Sequence, residues 1–213
     1  MTTIDRLFTG TYGKAQIAYN LRFFATERLC FMKVLKLEES NLCDYFADEE
    51  PFPVIGRLSP KLENGVWTFE EQLFDEPREK QYPPDEIDLM QYLETPERAI
   101  FLAYEDGVPV GRIALRRNWN RNAFVEDIAV RRAARGRGVG SALLARAGDW
   151  AREQGLHGLM LETQDTNLLA CRFYQKNGFQ LGGVDGYLYR NFEEPYRSET
   201  ALFWYLPFRS GRY

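Results

Sequence analysis

The twelve residues Val130-Arg131-Arg132-Ala133-Ala134-Arg135-Gly136-Arg137-Gly138-Val139-Gly140-Ser141 contain three glycines and four arginines. Glycines at this spacing let successive backbone N–H groups converge on an anion. A helix starting there adds about half a positive charge from its dipole. A pyrophosphate fits such a cradle. The pattern is not the dinucleotide fingerprint G-x-G-x-x-G, and no G-K-[ST] follows as in a Walker loop. Other chemistries find little support. Cys30, Cys43 and Cys171 are widely spaced with no C-x-x-C pair, and His157 is the one histidine, so neither a disulfide framework nor a Cys/His zinc site is expected. No Cys-His-Asp or Ser-His-Asp set surrounds His157, which argues against a covalent acyl-enzyme. Carboxylates and a tyrosine remain as candidates for proton transfer.

The elements that must position these residues can be read from periodicity. Ile100–Tyr104 and Val110–Arg116 flank Glu105-Asp106-Gly107, a hairpin turn with glycine where a positive φ is expected. Asn118–Asn122 is a second polar turn, and Phe124–Val130 a third strand that feeds the glycine-arginine segment. Val139, Leu143, Leu144, Ala147, Trp150 and Ala151 then recur at three- and four-residue steps, one apolar helix face ending before Gly155. Leu159–Leu161 reads as a short buried strand. Leu168, Leu169, Phe173 and Tyr174 read as a second helix, with Asn167 as N-cap and Gly178 just past its end. Phe179–Leu181 and Thr200–Leu206 close the sheet. This order predicts an α/β fold with a mixed sheet rather than a doubly wound one. Upstream the signals are weaker. Asn41–Glu50 reads as a short helix, and the stretch holding Pro51, Pro53, Pro60, Pro77, Pro83 and Pro84 as loops and turns. Met32 looks like a domain start, with residues 1–31 an appended arm and 32–213 a single domain.

The chain has 213 residues, 45% of them hydrophobic, enough for one good core. No apolar run reaches the roughly 18 residues that span a bilayer, and no signal peptide is recognisable, so a soluble cytoplasmic protein is expected. Net charge is −4, but residues 70–97 hold ten acids against Arg78 and Lys80, a local balance of −8. That run argues against nucleic-acid binding, which needs a clustered basic surface. It is either a solvated segment or a funnel for a cationic substrate.

The glycine-arginine segment resembles the phosphate-binding pattern R/Q-x-x-G-x-G/A of the GNAT superfamily, met here by Arg135, Gly138 and Gly140. Asn167, Ala170, Phe173-Tyr174, Lys176 and Gly178-Phe179 resemble that superfamily's second cofactor segment. A narrower likeness, over roughly residues 95–206, is to the streptothricin acetyltransferases. It is carried by Trp119-Asn120, Val125-Glu126-Asp127-Ile128, Leu161-Glu162-Thr163-Gln164, Ala170-Cys171, Gly178-Phe179-x-Leu181-Gly182-Gly183-x-Asp185, Tyr189 and Glu199-Thr200-Ala201-x-x-Trp204-Tyr205. The resemblance implies the GNAT fold with a splayed central sheet, and acetyl-CoA as cosubstrate without a metal. It implies that the pyrophosphate sits on Arg135, Gly136, Arg137, Gly138, Val139, Gly140 and Ser141. The pantetheine would run along the backbone of Ile128, Ala129 and Val130, and Asn167 and Tyr174 would complete the cofactor site. Tyr174 would protonate the departing CoA thiolate.

Direct transfer needs a neutral amine, and deprotonating a lysine-like amine at neutral pH costs on the order of 4–5 kcal/mol. A base or a water relay must therefore help. Glu126 is the expected base, since a period of two puts it on the face of Ile128 and Val130 and turns Asp127 away. Glu162 is the rival base or a substrate anchor. Glu162, Asp127, Trp119 and Tyr189 are the acceptor-binding candidates. The acceptor implied by the narrower likeness is the β-lysyl amine of streptothricin, a cationic small molecule. A protein, peptide or polyamine amine is the alternative, and a non-catalytic acyl-CoA-binding module would need neither Tyr174 nor a base. A homodimer is compatible with this reading, and the oligomeric state is open.

Overall fold

The computed structural model describes residues 32–83 and 87–208. The arm at 1–31 and the acids Asp85 and Glu86 lie outside the described residues. Seven strands form one sheet: β1 (Met32–Lys36), β4 (Arg98–Glu105), β5 (Val108–Arg117), β6 (Ala123–Val130), β7 (Gly158–Gln164), β9 (Ala201–Pro207) and β8 (Gln180–Asp185), in that spatial order. A separate two-stranded sheet is made of β2 (Phe52–Glu63) and β3 (Val66–Lys80). The helices are α1 (Leu89–Glu94), α2 (Val139–Glu153) and α3 (Leu168–Lys176). No helix among the described residues is long and apolar enough to cross a membrane.

The meander β4–β5–β6 is antiparallel, and its first turn holds Asp106 at φ 49° and Gly107 at φ 82°, the left-handed pair that matches strand twist. Its apolar face, Ala99, Phe101, Ile113, Leu115 and Val125, is covered by the buried stripe of α2. The junction with the second half of the sheet is short. Strand β6 pairs in parallel with β7 only at Ala123, Phe124 and Val125, and from Glu126 onward the two diverge. This splay leaves one edge of β6 without a ladder partner over Glu126–Val130 among the described residues.

Two upstream expectations are corrected. Only Glu39–Asp44 is helical, as a 3₁₀ turn, so the helix expected over Asn41–Glu50 does not form. Pro53, Pro60 and Pro77 lie in a long hairpin, turning at Asn64 (φ 51°) and Gly65 (φ 78°), while Pro51 and Pro83 fall outside the strands as expected and Pro84 lies outside the described residues. A two-stranded sheet has a free edge on each strand, where Pro53 and Pro60 can sit without costing a ladder bond. The hairpin docks at the β7–α3 junction. Leu58 N donates to Asp165 O at 2.9 Å, and Arg57 pairs with Asp165 at 3.1 Å.

Candidate active site

The glycine-arginine turn lies between β6 and α2, exposed over most of its length, with Ala134 and Val139 buried and Arg131 and Gly140 half-buried. Arg132–Ala134 makes one 3₁₀ turn, and Gly136 (φ 76°) and Gly138 (φ 90°) then bend the chain into α2. The first intrahelical bond runs from Ala142 N to Gly138 O at 3.0 Å, so the amides of Val139, Gly140 and Ser141 precede the helical ladder. Gly140 must be small for a second reason: a Cβ there would sit 2.9 Å from the Phe173 ring, closing α2 onto α3. Arg135 Nε donates to Val130 O at 2.9 Å, tying the turn to the end of β6, and Arg137 pairs with Glu105 at 2.9 Å. These free amides at a helix start fit a pyrophosphate, and the unpaired edge of β6 beside them fits a pantetheine amide chain.

Strand β6 departs from simple alternation. Ala114 faces Asp127 and Leu115 faces Val125, so Glu126 is the extra residue of a β-bulge. Glu126 and Asp127 therefore share the face opposite α2, while Ile128 and Val130 pack into the core under α2. The expectation that Glu126 lies with Ile128 and Val130, and Asp127 away from it, is overturned by that one inserted residue. Glu126 is also fully engaged. Its Oε1 accepts from Arg116 Nε at 2.9 Å, and its Oε2 accepts from Tyr92 Oη at 2.7 Å and Arg98 Nη1 at 3.2 Å. Asp127 accepts from the buried Arg112 Nε at 2.7 Å, and Arg112 also pairs with Glu49.

Glu162 sits across the splay on β7. Tyr189 Oη donates to its Oε1, while Oε2 has no hydrogen-bond partner among the described residues. Burial pushes the Glu162 carboxyl above the usual range, the Tyr189 hydrogen bond holds it down, and the charge of Glu199 adds to the rise. Tyr189 in turn accepts from Gln164 Nε2 at 2.9 Å, and Tyr82 Oη donates to Gln164 Oε1.

Tyr174 reaches this gap from α3 on the other face of the sheet. It is buried, its ring packed 5.4 Å from Phe173 and 5.7 Å from Phe179, and its hydroxyl makes no hydrogen bond among the described residues. Burial raises its pKa far above neutrality, and the negative charges of Asp127 and Glu162 push in the same direction. The carboxylates of Asp127 and Glu162 lie near enough for their charges to act on the Tyr174 hydroxyl.

The remaining candidates divide. Asn167 caps α3, its Oδ1 accepting from Ala170 N at 3.2 Å. Cys171 is buried, its thiol pushed up to about 12, and stays protonated at neutral pH. Trp119 is not brought to the cluster: it is 91% exposed on the β5–β6 turn, at the end of β6 remote from the glycine-arginine turn. Sequence reasoning assigned no role to Lys80, Tyr82, Gln164 or Glu199, which also line this region. Gln164 and Glu199 stand in the narrower likeness, and that was their signal.

Residues 65–179, more than half of the chain, match the Acetyltransferase (GNAT) family. The chain belongs to the acetyltransferase (GNAT) family. Streptothricin acetyltransferase A of Bacillus subtilis (strain 168) is 47% identical over 175 residues, 82% of this chain and 99% of that protein. Among solved structures, a provisionally assigned streptothricin acetyltransferase of Bacillus anthracis str. Ames in complex with acetyl coenzyme A superposes with TM-score 0.77 at 34% identity, over 84% of this chain and all of that one. A nourseothricin acetyltransferase superposes with TM-score 0.68 at 30% identity, over 83% of this chain and 98% of that one. This GNAT member is an N-acetyltransferase, with the mixed, splayed sheet expected of that fold.

Proposed function

We propose that this N-acetyltransferase moves the acetyl group of acetyl-CoA directly to a primary amine of streptothricin, the β-lysyl amine, in a cytoplasmic resistance reaction. The reading is supported by two groups that make no competing bond there: Tyr174, whose hydroxyl has no hydrogen-bond partner among the described residues, and Glu162 on β7, whose Oε2 has none. The likeness to Streptothricin acetyltransferase A, over 82% of this chain and 99% of that protein, supports the acceptor.

In this reading Val139, Gly140 and Ser141 donate backbone N–H groups to the pyrophosphate, with Gly136 and Gly138 shaping the turn, while the edge of Ile128–Val130 orients the pantetheine. Acetyl-CoA supplies the acetyl group as a thioester, whose C–S bond breaks as the C–N bond forms. Glu162 takes the amine's proton, since its raised pKa brings it closer to the amine's than an ordinary carboxylate. Tyr174, kept protonated by burial, gives its proton to the leaving sulfur and regains one through solvent. Glu126, bound by two arginines and a tyrosine, would have to surrender a hydrogen bond to accept a proton, and we assign it to holding Arg98 and Arg116 in place. Asp127 and Tyr189 orient the acceptor side of the gap. The test is acetylation of streptothricin by purified protein, with CoA thiol release followed against Glu162→Gln and Tyr174→Phe. Wild-type rates in both variants would remove this assignment.

A further inference from the structure

Beside Glu162 the chain encloses one of its own ammonium groups. Lys80 Nζ, at the end of β3, lies 2.6 and 2.7 Å from the two oxygens of Glu199, with only 9% and 4% of the two side chains exposed. It stands 4.7 Å from the ring centroids of both Tyr82 and Tyr196, which stack 6.4 Å apart, and Thr166 Oγ1 donates to Glu199 Oε1 at 2.6 Å. Two aromatic faces and a carboxylate make the kind of cage that takes a small organic cation. Lys80 and Glu199 both act on the charge of Glu162, in opposite directions. Asp165, on which Glu199 also acts, is paired with Arg57 at 3.1 Å, so of the three carboxylates gathered here Glu162 is the one with no cationic side chain bonded to it among the described residues.

We infer that Lys80 is a specificity-determining residue: its ammonium fills the Glu199 subsite between Tyr82 and Tyr196, so that the pocket receives a single acceptor ammonium, at Glu162. This rests on the assignment of Glu162 to the acceptor amine. Without the lysine, Glu199 would present a second cation site 119 residues away in sequence from the strand that normally occupies it. A second ammonium, from the acceptor or from a small amine, would then bind there.

The experiment uses Lys80→Ala in the full chain, with n-propylammonium as the probe. The expected result is a saturable rise in the thermal midpoint of the variant with n-propylammonium, absent in wild type. A drop of about tenfold or more in kcat/KM for streptothricin is also expected, recovered by the same probe. Absence of both the stabilisation and the recovery would overturn the inference, as would wild-type kinetics in the variant without any addition. Should Lys80→Ala fail to fold alone, it is refolded in the presence of n-propylammonium: the inference predicts that the probe restores a cooperative thermal transition and activity toward streptothricin, and a variant that stays unfolded or inactive at saturating probe contradicts it. Failure of the wild-type protein to acetylate streptothricin would sink the acceptor assignment instead, while the thermal measurement would still report on the subsite.

Discussion

Tyr174 and Glu162 have separable tasks, and each leaves its own kinetic signature. Tyr174→Phe keeps the ring against Phe173 and Phe179 and removes only the hydroxyl. We expect kcat to fall by about 10²–10⁴-fold, with acetyl-CoA affinity by calorimetry unchanged. A kcat within threefold of wild type, well below that range, would make the hydroxyl structural. Glu162 works deprotonated and its pKa is raised, so kcat/KM should climb with pH along a limb whose midpoint lies above the roughly 4.3 of an ordinary glutamate. In Glu162→Gln that limb should disappear from the pH profile. Tyr174 was legible in the sequence because it falls within a cofactor motif of regular helical spacing. The orientation of Glu126 was not: one bulged residue turns it to the other face, and nothing in a strand's residue types announces a bulge. Its arginine and tyrosine partners come from three other elements, Tyr92, Arg98 and Arg116, which no local pattern connects.

At the scale of elements, the glycine-arginine turn and the two helices that follow were readable because each carries its own start and stop signals. Gly138 shows why the turn has that sequence. A Cβ at this position meets nothing within 4 Å, so the demand for glycine comes from φ 90° at the N-cap of α2. Gly138→Val should re-aim the amides of Val139 and Gly140 and weaken acetyl-CoA binding by about tenfold, since the left-handed conformation costs a side-chain-bearing residue roughly 1–2 kcal/mol. Calorimetry on the folded variant measures it, and unchanged affinity would detach the turn from the cofactor. Arg112 on β5 joins Asp127 to Glu49 and is itself buried. Arg112→Met strips the guanidinium from two carboxylates and should lower the unfolding free energy by about 3–5 kcal/mol, read from urea denaturation. The β2–β3 hairpin was hidden by its prolines, although Asn64-Gly65 is a strong hairpin turn. In a two-stranded sheet the proline penalty falls away, and the turn outweighed it.

Over the whole molecule, charge matters less by its run in the sequence than by where the fold buries it. Of the acids at 70–97, Glu70 pairs with Lys61 at 2.6 Å, Glu71 with Arg172 at 2.5 Å and Glu79 with Arg132 at 3.6 Å, while Asp88 caps α1. These acids support the hairpin and α1. Asp85 and Glu86 of that run lie outside the described residues, and Glu162 and Asp127, whose charges act on Tyr174, do not belong to it. The parallel β6–β7 pairing stops after three residues, which opens the gap between the two strands. The proposed reaction at this gap joins an acetyl group to an amine of streptothricin. Purified protein incubated with acetyl-CoA and streptothricin, followed by mass spectrometry of the antibiotic, tests it directly. The expected product is heavier by one acetyl group, located on the β-lysyl moiety by fragmentation, with equimolar release of CoA thiol. Streptothricin recovered unmodified would contradict it.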